Sequence, residues 1–212
     1  IDSVRTLDLE TGQVRDQCAE ACGFAYRTSI FNTSARSRYI VLSVAFALTP
    51  GGEPHIAYAD LKKHFAERDG PPTLAETRQA VRAIRKSKAM LLVEGDEDCR
   101  SAGSFFKNPV VSEAEYRSLS EVAARRGLQV PRFTAANGAV KVPAAWLVEQ
   151  AGFARGLARG AVGISRKHAL AIVNRGGATA AEIVALKDEI QRRVAGEFAV
   201  DLVPEPVFVG FD

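Results

Sequence analysis

The stretch SAGSFFKNPVVSEAEYRSLSEVAARRG, Ser101 to Gly127, changes its period in the middle, and that change decides the fold class. Its first half, AGSFFKNPVV, is short and largely apolar, which reads as a strand. Its second half opens on Ser112 with Glu115 three residues on, the reciprocal pair that satisfies free N–H groups at a helix start. Gly127 ends that helix, because glycine adopts the left-handed conformation of a helix stop without steric cost. A strand followed by a capped helix, among other elements of both kinds, predicts a mixed α+β fold.

Working outward, Val4 to Val14 reads as a hairpin with Thr11-Gly12 at the turn. Arg38 to Leu48 is rich in β-branched and aromatic residues and reads as a buried strand, broken by TPGGEP. Thr73 and Glu76 form a second capping box, followed by the stripe Leu74, Thr77, Val81 and Ile84. The acidic run EGDEDC, Glu94 to Cys99, suggests a domain boundary near residue 89. Downstream, VPAAWLVEQAG reads as a short helix stopped by Gly152, and HALAIVN (168–174) as a strand. A third box, Thr179 with Glu182, opens a helix whose apolar positions Ile183, Leu186, Ile190, Val194 and Phe198 recur at spacings of three and four. EPVFVGF closes the chain as a strand. No internal repeat or low-complexity segment interrupts this order.

The 212 residues suffice for one large or two small domains, and 47% hydrophobic with 25% charged residues is ordinary for a soluble globular protein. A net charge of +3 is too mild to argue for nucleic acid but suits a site that receives anions. The only basic cluster, RAIRKSK, is better explained as the end of a helix. No apolar run is long enough to span a bilayer, and nothing resembles a signal peptide. Cys18, Cys22 and Cys99 are an odd number without framework spacing, which predicts reduced thiols and a cytoplasmic protein. Cys18 and Cys22 could share a helical face, but no nearby ligand completes a metal site. The chain opens at Ile1 within a strand pattern and reads as the later part of a longer protein.

Ser104 is the residue that plain structure explains least. A serine in a strand usually bonds locally, but here Gly103 allows close approach, Lys107 and Asn108 add an anion partner and an amide, and Phe105 and Phe106 would face opposite sides, one drying the hydroxyl. With no His or Asp beside it, such a hydroxyl is a poor nucleophile but can donate a proton. Glu205 stands between Pro204 and Pro206, which fix the direction of its carboxylate, although a rigid exposed connector would look the same. Arg27, one charge among the apolar residues of FAYRTSIF, suits a carboxylate or phosphate. His168 reads as a hydrogen-bonded structural histidine, and His55 and His64 as exposed. GLARGAVG (156–163) is glycine-rich but matches no phosphate-binding fingerprint.

Taken together, FAYRTSIF, RKSKAM, SAGSFFKNP, VKVPAAWLVEQAGF and LVPEPVFVG, in this order, resemble the UDP-N-acetylenolpyruvoylglucosamine reductase (MurB) family of flavoenzymes. HIAYADL resembles the tyrosine loop of the family's first subclass. The resemblance implies a cytoplasmic, monomeric enzyme of peptidoglycan precursor synthesis that uses FAD and NADPH to reduce UDP-N-acetylglucosamine enolpyruvate, with no nucleic-acid or membrane partner. It implies that residues 1–88 are the later part of a flavin-binding domain with the substrate loop. Residues 89–199 would be a mixed α/β substrate-binding domain, and 200–212 a return strand carrying a catalytic glutamate. Ser104 matches the proton donor, and Arg27 and Glu205 the other catalytic positions, Arg27 also facing the cofactor. Tyr58, Lys88, Asn108 and Arg155 match substrate-binding positions. Arg155 stands where many members have lysine, and Phe133 where a substrate-contacting tyrosine is expected. The alternative is a UDP-sugar-binding fragment without chemistry.

Overall fold

Val4, Thr6 and Asp8 alternate inward along β1 (Ser3–Asp8), which pairs antiparallel with β2 (Val14–Cys18) and β3 (Tyr39–Ala45) in the order β2-β1-β3. The computed structural model describes residues 1–25 and 27–211. The hairpin expected near the start is present, closed by the Asp8 N–H donating to the Gln13 carbonyl at 2.9 Å. Asp8 accepts from Arg38 Nη2 at 2.8 Å, tying the start of β3 to the end of β1.

The strand expected over 38–48 forms, but it is not buried. Ile40 and Leu42 are 47% and 51% exposed. Among the described residues β3 pairs with β1, at one side of this sheet. Among the described residues of this unit, the largest helical element is the short turn Ile30–Asn32.

Packing divides the chain into two compact units, Ile1–Pro54 and His55–Asp212; an acidic run follows the boundary expected near residue 89. The acidic run there is not a solvated linker. Asp98 is buried and accepts from the Arg166 N–H (2.9 Å) and Arg166 Nε (2.7 Å), and Asp96 pairs with Lys167.

In order, the second unit contains α1 (Ala59–His64), α2 (Leu74–Ser87), β4 (Val110–Val111), α3 (Glu113–Ala124), β5 (Phe133–Thr134) and β6 (Val140–Lys141). Then come α4 (Ala144–Gln150), β7 (Ala158–Arg159), β8 (Val162–Ile164), β9 (Ile172–Asn174) and α5 (Ala180–Phe198). The short strands form two antiparallel sheets, β4-β6-β5 and β7-β8-β9. All three capping boxes form as expected. At Thr73 the hydroxyl accepts from the Glu76 N–H, and the Thr73 N–H donates back to the carboxylate at 2.8 Å. That N–H, with the Thr73 hydroxyl and Arg68, draws the Glu76 carboxyl down to about 2. α5 buries Leu186, Ile190, Val194 and Phe198 in one core with Phe106, Leu119, Leu147 and Ile164. Burying each such side chain stabilises by roughly 1.5–3 kcal/mol.

Three strand expectations need correction. The segment from Ser101 changes partner every few residues: Ser101 bridges Val173, Phe105 donates its N–H to Leu170, and Phe106 bridges Pro204. No ladder therefore repeats before β4. Of 168–174 only β9 is strand, because Ala171 donates its N–H to the His168 carbonyl and closes a turn. The closing segment is not a strand, since Pro204 and Pro206 carry no N–H and leave only the bridge at Pro204. GLARGAVG is the β7–β8 hairpin. A side chain at Gly163 would place its Cβ 2.4 Å from the Leu157 carbonyl oxygen, so only glycine fits there.

Candidate active site

Backbone pairing sets the segment of Ser104 against the segment of Glu205, distant in sequence. Lys107 donates its N–H to the Val203 carbonyl and Glu205 donates its N–H to the Phe105 carbonyl, both at 2.9 Å. These two bonds flank the antiparallel bridge between Phe106 and Pro204. Ser104 and Glu205 therefore lie on adjacent, oppositely running segments, one residue out of register. Between two prolines, the Glu205 N–H is the one donor the local backbone has, and this bond uses it. Gly103, at φ 79°, turns the chain into this pairing.

Ser104 is half-buried, while Phe105 and Phe106 are both buried. The rings do not divide between an inner and a solvent side. Their centroids are 5.6 Å apart, and Phe208 packs on Phe105 at 6.3 Å. The serine thus sits beside an aromatic cluster, where its surroundings are partly shielded from water.

A second group gathers around His168. Its Nδ1 accepts from the Leu170 N–H at 3.1 Å, so in the neutral ring Nε2 carries the proton. Burial, and then Lys88, push the imidazole below its ordinary value; Glu149 opposes this and Arg155 adds to it. The charges of Lys88, Glu149 and Arg155 thus bear on the His168 ring. The Leu170 carbonyl accepts the Phe105 N–H at 2.8 Å, which sets this turn beside Ser104. Lys88 follows the last turn of α2 and pairs with Asp60 at 2.5 Å. Arg155 Nε donates to Glu149 Oε1 at 3.1 Å. Tyr58 is the N-cap of α1 and is 77% exposed.

Asn108 does structural work. Its Oδ1 accepts the Ala144 N–H at 2.9 Å at the start of α4. Phe133 is exposed on β5 and offers a ring but no hydroxyl. His168 is hydrogen-bonded, as expected of a structural histidine, yet it also stands among the candidate cations. Asp60 and Glu149 went unrecognised in the sequence. Asp60 follows Tyr58 by two residues, a proximity that could have been noticed; Glu149 and Arg155 are six apart and share no helical face. Among the described residues, no group of three His, Cys, Asp or Glu side chains could hold a metal ion.

Arg27 belongs to the first unit. Ala25 and Thr28 exchange backbone hydrogen bonds at 2.9 and 3.2 Å, and Arg27 lies on the turn between them at φ 56°. Its carbonyl accepts from Asn32 Nδ2 at 3.0 Å. The left-handed backbone of a non-glycine residue is costly and marks a side chain whose direction is imposed by its turn. Arg27 itself is exposed.

Residues 95–209 match a family model described as UDP-N-acetylenolpyruvoylglucosamine reductase, C-terminal domain. The UDP-N-acetylenolpyruvoylglucosamine reductase of Thermobifida fusca (strain YX) is 46% identical over 98% of this chain and 59% of its own length. That of Saccharopolyspora erythraea is 42% identical over 98% of this chain and 58% of its own. The chain thus spans somewhat under two thirds of the relatives it matches. A crystal structure of the enzyme from Thermus caldophilus matches 95% of this chain and 51% of its own, at 25% identity and a TM-score of 0.47.

Proposed function

Because the chain belongs to the UDP-N-acetylenolpyruvoylglucosamine reductase family, we propose that it takes part in reducing the enolpyruvyl group of UDP-N-acetylglucosamine enolpyruvate to the lactyl ether of UDP-N-acetylmuramate. The step belongs to peptidoglycan precursor synthesis, and we place it in the cytoplasm with the protein acting as a monomer. A bound FAD, facing Arg27 and reduced by NADPH, would supply the hydride chemistry at C3 of the enolpyruvyl group.

An unactivated enol ether resists hydride unless the charge it brings can spread into the neighbouring carboxylate. Arg27 meets that need with a planar fork of N–H donors, a set that also suits a flavin ring carbonyl. The proton at C2 leaves Ser104 Oγ. Glu205, on the paired segment, arranges the reacting centre. Tyr58, Lys88 and Arg155 hold the UDP-sugar, Lys88 and Arg155 through its diphosphate, and Asn108 gives its amide nitrogen. Arginine in place of the common lysine at residue 155 keeps the charge but offers a fork where lysine offers a point. By this reading residues 1–88 serve the flavin and carry the substrate loop, 89–199 bind the sugar nucleotide, and 200–212 return Glu205 to the site.

The observation that supports this reading is the Glu205 N–H on the Phe105 carbonyl, within the pairing of the Ser104 and Glu205 segments. In flavin-loaded enzyme, Ser104→Ala should leave reduction of the flavin by NADPH intact. Reduction of the enolpyruvyl substrate should slow by roughly 10²–10⁴-fold, the usual worth of a general acid. Stopped-flow measurement of the two half-reactions separates them; equal slowing of both would make the serine structural.

A further inference from the structure

Both cations assigned to the diphosphate already hold a carboxylate. Lys88 Nζ donates to Asp60 Oδ2 at 2.5 Å, and Arg155 Nε donates to Glu149 Oε1 at 3.1 Å. The reaction uses neither carboxylate. Both pairs are partly solvated, and exposed ion pairs contribute little and exchange readily. A carboxylate on each cation offsets its charge while no anion is bound. Asp60 has a further tie. It lies in the first turn of α1, whose N-cap is Tyr58, so its bond to Lys88 fastens the Tyr58 segment to the end of α2.

We propose that Asp60 and Glu149 are place-holding anions for the nucleotide diphosphate. On binding, phosphate oxygens replace the two carboxylates at Lys88 and Arg155, and release of Asp60 frees the start of α1 for Tyr58 to engage the ligand. This rests on reading Lys88 and Arg155 as diphosphate contacts. The exchange favours the ligand because a diphosphate brings more charge and more acceptor oxygens than the carboxylate it displaces. The two carboxylates also set a selectivity: a singly charged or neutral ligand gains too little to displace them.

Calorimetric titration with uridine diphosphate distinguishes place-holding from orientation by sign. Asp60→Asn and Glu149→Gln should each lower Kd by roughly 1.4- to 5-fold, the range that exposed ion pairs are worth. The gain should shrink at high salt, where the competing attraction is screened. A carboxylate whose removal leaves Kd unchanged or raises it is not a place-holder, and the proposal falls for that pair. Lys88→Ala and Arg155→Ala test the reading beneath. If neither weakens uridine diphosphate, the assignment of these cations fails. If they weaken it while the carboxylate variants do not tighten it, only the exchange fails.

Discussion

Asp98 shows how much one buried carboxylate can organise. Burial alone would raise its carboxyl, but the N–H and guanidinium of Arg166, helped by Ser165, more than offset this and hold it below the usual carboxylate range. A lowered folded-state value means the carboxylate adds stability in full above the unfolded value of 3.8. That contribution is lost as pH falls through the folded value. Asp98→Asn should therefore destabilise at neutral pH by about 1–3 kcal/mol, the cost of charge-assisted bonds given up in a buried site. The gap between the two proteins should close as pH drops below the ordinary carboxylate range. Thermal unfolding followed against pH reads both effects; a gap that persists in acid would assign the stability to shape rather than charge. Sequence alone placed Asp98 in an acidic run and hid this role, because its partner Arg166 is remote along the chain. Ser104 and Glu205 were legible as residue types for a local reason: a lone hydroxyl beside rings and a carboxylate between prolines are both unusual within a few residues.

At the scale of elements, the capped helices and the strands of the first unit were legible, and the later strands were not. Thr73, Ser112 and Thr179 each announce a helix through bonds closed within one turn, so neighbouring residues carry the whole signal. Strand identity depends on a partner, and the segment through Ser101, Phe105 and Phe106 spends its hydrogen bonds on three different partners. Gly163 is an element-level constraint of the same kind. Its glycine looked like part of a loose, glycine-rich stretch, yet it lies where β8 approaches the Leu157 carbonyl, which also accepts the Ile164 N–H at 2.8 Å. Gly163→Ala would push a methyl group into backbone that cannot step aside, and we expect a loss of roughly 1–3 kcal/mol. An unchanged melting temperature would mean that the hairpin opens without harm to the sheet.

Across the whole molecule, stability should be uneven. Ile190 and Val194 of α5 are fully buried, and so are Leu147 and Val148 of α4. Residues 46–57 form neither helix nor strand, and β3 leaves its apolar residues exposed. Amide hydrogen exchange should be slowest in α5 and α4 and fastest through 46–57, since exchange follows the free energy of local opening. Strong protection across 46–57 would contradict this gradient.

The residues themselves determined the three capped helices, the opening hairpin, the α+β class and the order of motifs that carries the family likeness. Each of these is written in side chains a few positions apart, where capping, turn chemistry and periodicity act. Tertiary structure alone decided that the Glu205 segment pairs with the Ser104 segment, that β3 leaves its apolar residues exposed, and that Lys88 meets Asp60 and Arg155 meets Glu149. Those outcomes depend on which distant segment offers a free carbonyl, an open edge or an opposite charge after the core has closed. An extended segment carries no local mark of its partner, because its hydrogen-bonding groups are the same in every residue but proline.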